Sequence, residues 1–217
     1  MSNRISAADV ASRVASVVLH PLLLPVYCTL LVLYTPTPFA GMPVVLNAYL
    51  LGVVGIIGSL MPLIVIGGFI MFGYVSGVEM PTRSERVLPF MATALVLGCD
   101  TSLGQAYLPG QLPESLNAVL FGESVVLFVA AVCSMRWKIS LHAMGAGALL
   151  AAVASIGTAY GQDFTPIAAG AFVWAGIMVW ARLHEKAHTP WQLLAGYVAG
   201  FAVMGLVMYL LFVRRHL

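Results

Sequence analysis

Long apolar runs alternate along the chain with short breaks that collect proline, glycine and charge. A helix needs ~20 mainly apolar residues to cross the hydrocarbon core of a bilayer. Seven runs come close to that length: 16–35, 46–76, 87–107, 115–135, 139–157, 164–181 and 191–213. The breaks are written as turns, in Thr35-Pro-Thr-Pro, in Pro109-Gly-Gln-Leu-Pro113 and from Gly157 through Pro166. Helix starts are marked as well. Thr82-Arg83-Ser84-Glu85 has the form of a capping box before the third run, Ser140 can cap the fifth, and Thr189-Pro190 sets a cap before a first-turn proline at the seventh. The pattern predicts an all-α, polytopic transmembrane helix bundle of about seven spans, six to seven. It forms a single domain over 1–217 with a short polar N-terminal segment at 1–14.

Composition agrees with the pattern. The chain is 61% hydrophobic with a mean hydropathy of +0.98, against the roughly 45–50% apolar content of soluble domains, so the spans consume the length and leave no room for a soluble domain of ~100 residues. The first run passes through His20, Pro21 and Pro25 with no small-residue cleavage pattern, which predicts a retained span and not a removable signal peptide. A formal net charge of +2 gives no reason to expect a nucleic-acid partner. Cys28, Cys99 and Cys133 sit inside apolar runs at no metal-ligand spacing and read as packing residues.

The few charges are distributed unevenly. Breaks after the second, fourth and sixth runs return to the side of the N-terminus. They hold Glu79, Arg83, Glu85, Arg86, Arg136, Lys138, Arg182, Glu185 and Lys186, whereas the other breaks hold only Glu114 and Asp163. Lys and Arg alone would fit the rule that cytoplasmic loops are positive. That rule does not account for His142 and His188, each at the start of a run on the charged face, and their presence favours a site built from three loops.

The residue types suit phosphate chemistry. Planar guanidinium forks at Arg83, Arg86 and Arg182, with the ammonium groups of Lys138 and Lys186, match phosphoryl oxygens, and helix N-termini add positive dipole ends. Of two histidines, one can attack phosphorus while the other protonates the leaving oxygen, without a metal or other cofactor. His184 and Lys186 read as bystanders, His20 as structural, and Trp174 and Trp180 as packing and interface belt. Asp100 and Glu123 lie ~20 Å below the charged face at ~1.5 Å per residue, a depth where ionisable groups are functional candidates. A protonated or hydrogen-bonded structural role stands equally open for them.

The sequence Arg182-Leu-His-Glu-Lys-Ala-His188-Thr-Pro-Trp-Gln192 resembles the third motif of the type 2 phosphatidic acid phosphatase superfamily. That motif reads Ser-Arg, five residues, His, three residues, Asp. Lys138-Ile-Ser140-Leu-His142 resembles the second motif, Pro-Ser-Gly-His, and Arg83-Ser-Glu-Arg86-Val-Leu-Pro89 occupies the place of the first, Lys, six residues, Arg-Pro. Two crossings separate successive motifs, an arrangement similar to that of the glucose-6-phosphatase relatives. The resemblance implies His188 as a nucleophile that becomes phosphohistidine and His142 as general acid. It implies Arg182, with Arg83 or Arg86, as phosphate ligands assisted by Ser140 and Lys138. Gln192 stands where the family has the Asp that orients the nucleophile, Ala181 replaces the motif Ser, Leu141 replaces the Gly, and no Lys lies seven residues before either first-motif arginine. Glu85 and Glu185 are candidate substitutes for the missing carboxylate.

The expected activity is metal-independent hydrolysis of a phosphate monoester or diphosphate on a lipid, of the phosphatidate, phosphatidylglycerol phosphate or polyprenyl phosphate class. The expected partners are that lipid phosphate and the membrane. The alternatives are a non-catalytic phospholipid-phosphate binding or transporter-like relative, and a membrane cytochrome with histidine-ligated haem. The family arrangement puts a multi-pass chain in the inner membrane with its site facing the periplasm or exterior. A plain count, with eight of ten Lys and Arg on the motif face, points the other way.

Overall fold

The computed structural model describes residues 6–107 and 110–217, so Arg4 and the first residue of the Pro109–Pro113 turn lie outside the described residues. Among the described residues nine α-helices follow in order: α1 (Ala7–Val18), α2 (Leu24–Tyr34), α3 (Val44–Gly55), α4 (Met61–Met71), α5 (Ser84–Tyr107), α6 (Glu114–Ser134), α7 (Leu141–Ala159), α8 (Thr165–His184) and α9 (Pro190–Leu211). Six continuous helices are long and apolar enough to cross a membrane, with α3 and α4 joined into one through a π turn at Ile56–Leu60. The pair Ala7–Val18 and Pro21–Tyr34, bent by 43°, brings the number to seven when the two helices are taken together as one broken span. The protein is thus the polytopic helical bundle that the hydropathy pattern predicts.

Its first and second spans differ from the expected ones. The first helix begins at Ala7 and not near residue 16, because Ser6 and Asp9 close a capping box, Asp9 N–H to Ser6 Oγ at 3.1 Å and Ser6 N–H to Asp9 Oδ2 at 2.9 Å. Helix α1 escaped the apolar-run criterion because it is amphipathic. Val10, Val14, Val17 and Val18 are exposed on one stripe, while Ser12 and Ser16 are buried on the other. The break after it falls at His20-Pro21, where a proline opens a single 3₁₀ turn, Pro21–Leu23. The second span ends at Met71, and residues 72–83 form a loop held by Glu85, whose carboxylate accepts from Ser76 N–H (3.0 Å), Ser76 Oγ (2.6 Å) and Thr82 Oγ1 (2.7 Å). Thr82 and Glu85 therefore tie a loop down and do not form the expected capping box.

Helices α6, α7 and α9 form the middle of the bundle. Of the apolar stretch of α7, 67% is buried, against 28% for the α3–α4 helix, which places the latter at the lipid-facing periphery. Helices α7 and α9 are parallel, since α8 crosses back between them, and they pack most intimately of all pairs. Small residues permit this. A methyl group on Gly200 would strike the Met144 carbonyl, one on Gly147 the Tyr197 carbonyl, and one on Gly196 would lie 2.8 Å from the Ser140 carbonyl. Within lipid, where apolar surface gains little by leaving one apolar medium for another, close backbone approach of this kind is a principal source of helix association. It locks the starts of α7 and α9 side by side on one membrane face.

Candidate active site

The turn between α8 and α9 sets the first part of the site. Ala187 N–H reaches the Arg182 carbonyl (3.1 Å) and Lys186 N–H the Leu183 carbonyl (3.0 Å), the pair of bonds that closes a helix on a left-handed residue. That residue is Lys186, at φ 52°, a conformation usually left to glycine. The reversal is short enough for Arg182, in the last turn of α8, and His188, just before α9, to line one cavity. Thr189 caps α9, accepting from Gln192 N–H at 3.4 Å, and Gln192 Oε1 accepts from Thr189 N–H at 3.1 Å. The result is a complete capping box.

This box decides the state of His188. A backbone N–H can only donate, so the Gln192 atom that meets Thr189 is the amide oxygen, and the same oxygen lies 3.2 Å from His188 Nδ1. The ring therefore carries its hydrogen on Nδ1, leaving the lone pair on Nε2. His188 is buried, 8% exposed. Burial first, then the charges of Arg86, Arg182 and Lys138, lower its pKa from 6.5 to about 4, against a small upward pull from Gln192. At neutral pH the imidazole is unprotonated, a form that a neutral glutamine suffices to orient.

The second part comes from the start of α7. Ser140 Oγ accepts from Ala143 N–H at 3.3 Å and caps the helix. Ser140 is fully buried and does not line the cavity, so the fold brings it to the helix cap and not to the cavity wall. His142 does line it. Its Nε2 lies 3.3 Å from the Ser16 carbonyl, which can only accept, so Nε2 carries hydrogen. The ring of His20 packs edge-on against it, centroids 4.8 Å apart at 82°.

The third part is Arg86, 6% exposed in the first turn of α5. Its Nε donates to the Met80 carbonyl (2.8 Å) and Nη1 to the Ile139 carbonyl (3.1 Å). Met80 is itself held at φ 43°, a strained conformation for a residue with a side chain, which turns its carbonyl toward the guanidinium. Arg83 is different: it is exposed, donates to the Arg136 carbonyl, and lines neither the inner cavity nor its mouth. Of the two first-motif arginines, the fold brings only Arg86 to the histidines, because Arg83 precedes the helix and points along the loop.

The assembled site has two compartments. An inner cavity of about 80 Å³ has His20, Arg86, His142, Arg182 and His188 around it, with Pro62, Ile66, Phe90 and Leu127 supplying apolar wall. An outer polar vestibule of about 610 Å³ shares Glu79, Arg86 and Arg182 with it and adds Lys138, Lys186 and the polar stripe of α1. Partial burial and the charges of Arg86 and Arg182 lower the Lys138 pKa, which marks it as part of the same cationic cluster. Neither candidate carboxylate serves His188. Glu85 is spent on the 72–83 loop, and Glu185 accepts from Arg182 Nη1 at 2.7 Å and from Ser16 Oγ at 3.0 Å. Buried Arg182 Nε has no partner among the described residues, so part of its donor fork is uncommitted.

Residues of the first span were missed as site residues. The His20-Pro21 break was the available signal for His20, whereas nothing local marks Ser16, whose partners lie more than a hundred positions away. Glu123 is buried with Oε2 unpartnered among the described residues, beside a second cavity of about 20 Å³. Asp100 Oδ2 is likewise unpartnered and borders a separate pocket of about 320 Å³ toward the opposite face. Neither carboxylate lines the histidine cavity.

Comparison with known proteins bears on this geometry from outside it. No curated protein and no solved structure matches the chain. The model of one family, the PAP2 superfamily, matches residues 109–216, about half of the chain. That half contains His142, Arg182, His188 and Gln192 and leaves Arg86 and His20 outside. The chain belongs to the PAP2 superfamily, whose members are generally phosphatases of phosphate esters.

Proposed function

We propose that the protein hydrolyses a phosphate monoester or diphosphate carried on a lipid, of the phosphatidate, phosphatidylglycerol phosphate or polyprenyl phosphate class, through a phosphohistidine. The observation that carries this reading is His188, with Nδ1 engaged by Gln192 Oε1 and its ring facing a cavity shared with Arg86, Arg182 and His142. Nε2 attacks phosphorus as the bond to the leaving oxygen breaks; His142, whose Nε2–H stays on the Ser16 carbonyl, takes up the proton of the phosphate monoanion on Nδ1 and gives it to that oxygen. Water then attacks the phosphohistidine, returns a proton to His142, and breaks the P–N bond to release inorganic phosphate. Arg86 and Arg182 hold the non-bridging oxygens, whose negative charge is stabilised in a site screened from water. An entering phosphate takes the Arg182 donor that Glu185 holds in the free protein. No step calls for a metal.

The apolar wall of the inner cavity supports a lipid substrate, because the atoms attached to the phosphate would meet Pro62, Ile66, Phe90 and Leu127 and not water. We place the site on the periplasmic or outer face of the inner membrane, with Arg214 and Arg215 marking the cytoplasmic end.

The test is phosphate release by purified protein in detergent from a panel of these lipids, with and without chelator. The expected results are turnover of at least one lipid, unaffected by chelator, and an acid-labile phosphoenzyme. His188→Ala abolishes both, on the order of 10⁴-fold or more in rate. Tight binding of the same lipids by wild type with no turnover would instead establish a binding protein.

A further inference from the structure

We infer that His20 is a third histidine of the anion site, whose Nε2–H donates a hydrogen bond to an oxygen of the bound phosphoryl group. The placement of this donor rests on the proposed phosphate site, although the geometry that presents it stands independently. Position 20 falls at the bend of the first span, between α1 and the Pro21–Leu23 turn. A break within a membrane span exposes backbone groups that the helix would have satisfied, and it persists only where other parts of the protein satisfy them. Here they do. Ser59, from the π turn of the second span, donates to the Leu22 carbonyl, and Pro21 packs against α7 so closely that a methyl on Gly145 would lie 2.7 Å from its Cβ. The π turn and a glycine thus hold this one bend against α7, in whose first turn His142 lies.

The bend fixes the ring of His20 as well as its position. Leu22 N–H donates to His20 Nδ1 at 3.3 Å. A neutral imidazole that accepts on Nδ1 has its hydrogen on Nε2. Among the described residues Nε2 has no hydrogen-bond partner, and the residue lines the same inner cavity as Arg86, Arg182, His142 and His188. The edge contact with His142 holds both rings. His20 is half-buried, so its Nε2–H is a donor at the cavity wall left free for an occupant, and in a cavity with two guanidinium groups the fitting occupant is an anion oxygen. His20 contributes a neutral donor there, adding a directed bond without adding to the positive charge around His188.

Two substitutions separate this role from a purely structural one. Asparagine keeps the Nδ1-side acceptor, and is itself a good cap for the Leu22 N–H, but loses the Nε2 donor. Glutamine extends its amide N–H toward the place of Nε2. His20→Asn is expected to lower turnover of the lipid phosphate ~10–100-fold, the effect of one hydrogen bond to a charged group, with thermal unfolding unchanged. His20→Gln recovers part of that loss. Independently, with ¹⁵N-histidine protein, titrating inorganic phosphate is expected to move the His20 Nε2 resonance in wild type.

Wild-type rates in His20→Asn, or a His20 resonance indifferent to saturating phosphate, would overturn the inference. The resonance measurement holds even if His20→Asn does not fold. Should wild type hydrolyse nothing while phosphate still moves the resonance, the reaction proposed above fails and the His20 donor stands. Hydrolysis with a silent His20 gives the converse.

Discussion

One half of the site is built by regular structure and the other by its interruptions. His142 and His188 sit at the starts of α7 and α9, two parallel helices whose backbones meet through Gly147, Gly196 and Gly200. Arg86, His20 and Ser16 reach the same place through a loop with a left-handed Met80, a bend at His20-Pro21 and an amphipathic helix. In the proposed reaction the two histidines must keep one relative position, while the groups that would hold phosphate must let substrate in. Rigid, glycine-packed helices suit the first demand, and segments pinned by a few hydrogen bonds suit the second.

The largest effect is expected where the rigid half is pried apart. Gly200→Ala places a methyl on the Met144 carbonyl, and a backbone cannot give way as a side-chain end can. The expected outcome is loss of activity together with a clear drop in thermal stability in detergent, at the upper end of the ~1–3 kcal/mol typical of overpacking or beyond it. Gly67→Ala, in the lipid-facing helix where nothing stands within 4 Å, is the control, and gains up to ~1 kcal/mol from helix propensity. Equal stability of the two variants would break the distinction between the paired helices and the periphery.

Next comes the loop-built half. Arg86→Ala removes a proposed phosphate ligand and also strands the Met80 and Ile139 carbonyls. A charged hydrogen bond contributes about 1.5–3 kcal/mol, so a loss of about 10²-fold in kcat/KM is expected. Binding of inorganic phosphate should weaken in parallel.

These differences follow what was legible in the sequence. The hydrogen bonds that orient His188 lie within four residues of it: Thr189 caps, Pro190 opens the helix, and Gln192 reaches back to His188 and Thr189. Short-range chemistry of this kind is spelled in order along the chain, as is the Ser140 cap before His142. The spans were legible for a similar reason, since apolar length is local. Arg86 could not be told from Arg83 because the choice depends on the carbonyls of Met80 and Ile139, one in a turn and one in another loop. Ser16 was illegible as a site residue because its partners arrive only when the first span packs on α7 and α8, and the His20-Pro21 break marked His20 without naming what its ring meets. Helix α1 hid itself by being half polar.

A smaller and opposite change is expected at Gln192. Glutamate has the same length, so Gln192→Glu retains both hydrogen bonds of the oxygen that meets His188 Nδ1 and Thr189 N–H, and adds the charge that stabilises an imidazolium. Turnover should rise about tenfold. The acid limb of the pH profile should move with it. In wild type, His188 has a pKa near 4, so kcat/KM is retained as pH falls from 7 and is lost only toward pH 4, where Nε2 takes a proton. A carboxylate beside Nδ1 raises that pKa, and the loss then begins at higher pH. An unmoved acid limb would show that this limb is not set by His188.

The smallest effect is expected at Arg83, and it tests the comparison most sharply because the sequence alone treats it as the equal of Arg86. Its guanidinium is exposed and binds only the Arg136 carbonyl among the described residues, a solvated contact that typically contributes under ~1 kcal/mol. Arg83→Ala should leave kcat/KM and phosphate affinity within about twofold of wild type. Its thermal midpoint should fall by a few degrees at most. A loss as deep as that of Arg86→Ala would mean that the loop closes over bound phosphate far enough to bring Arg83 in. The interrupted half of the site would then be mobile during turnover, while the α7 and α9 half stays fixed.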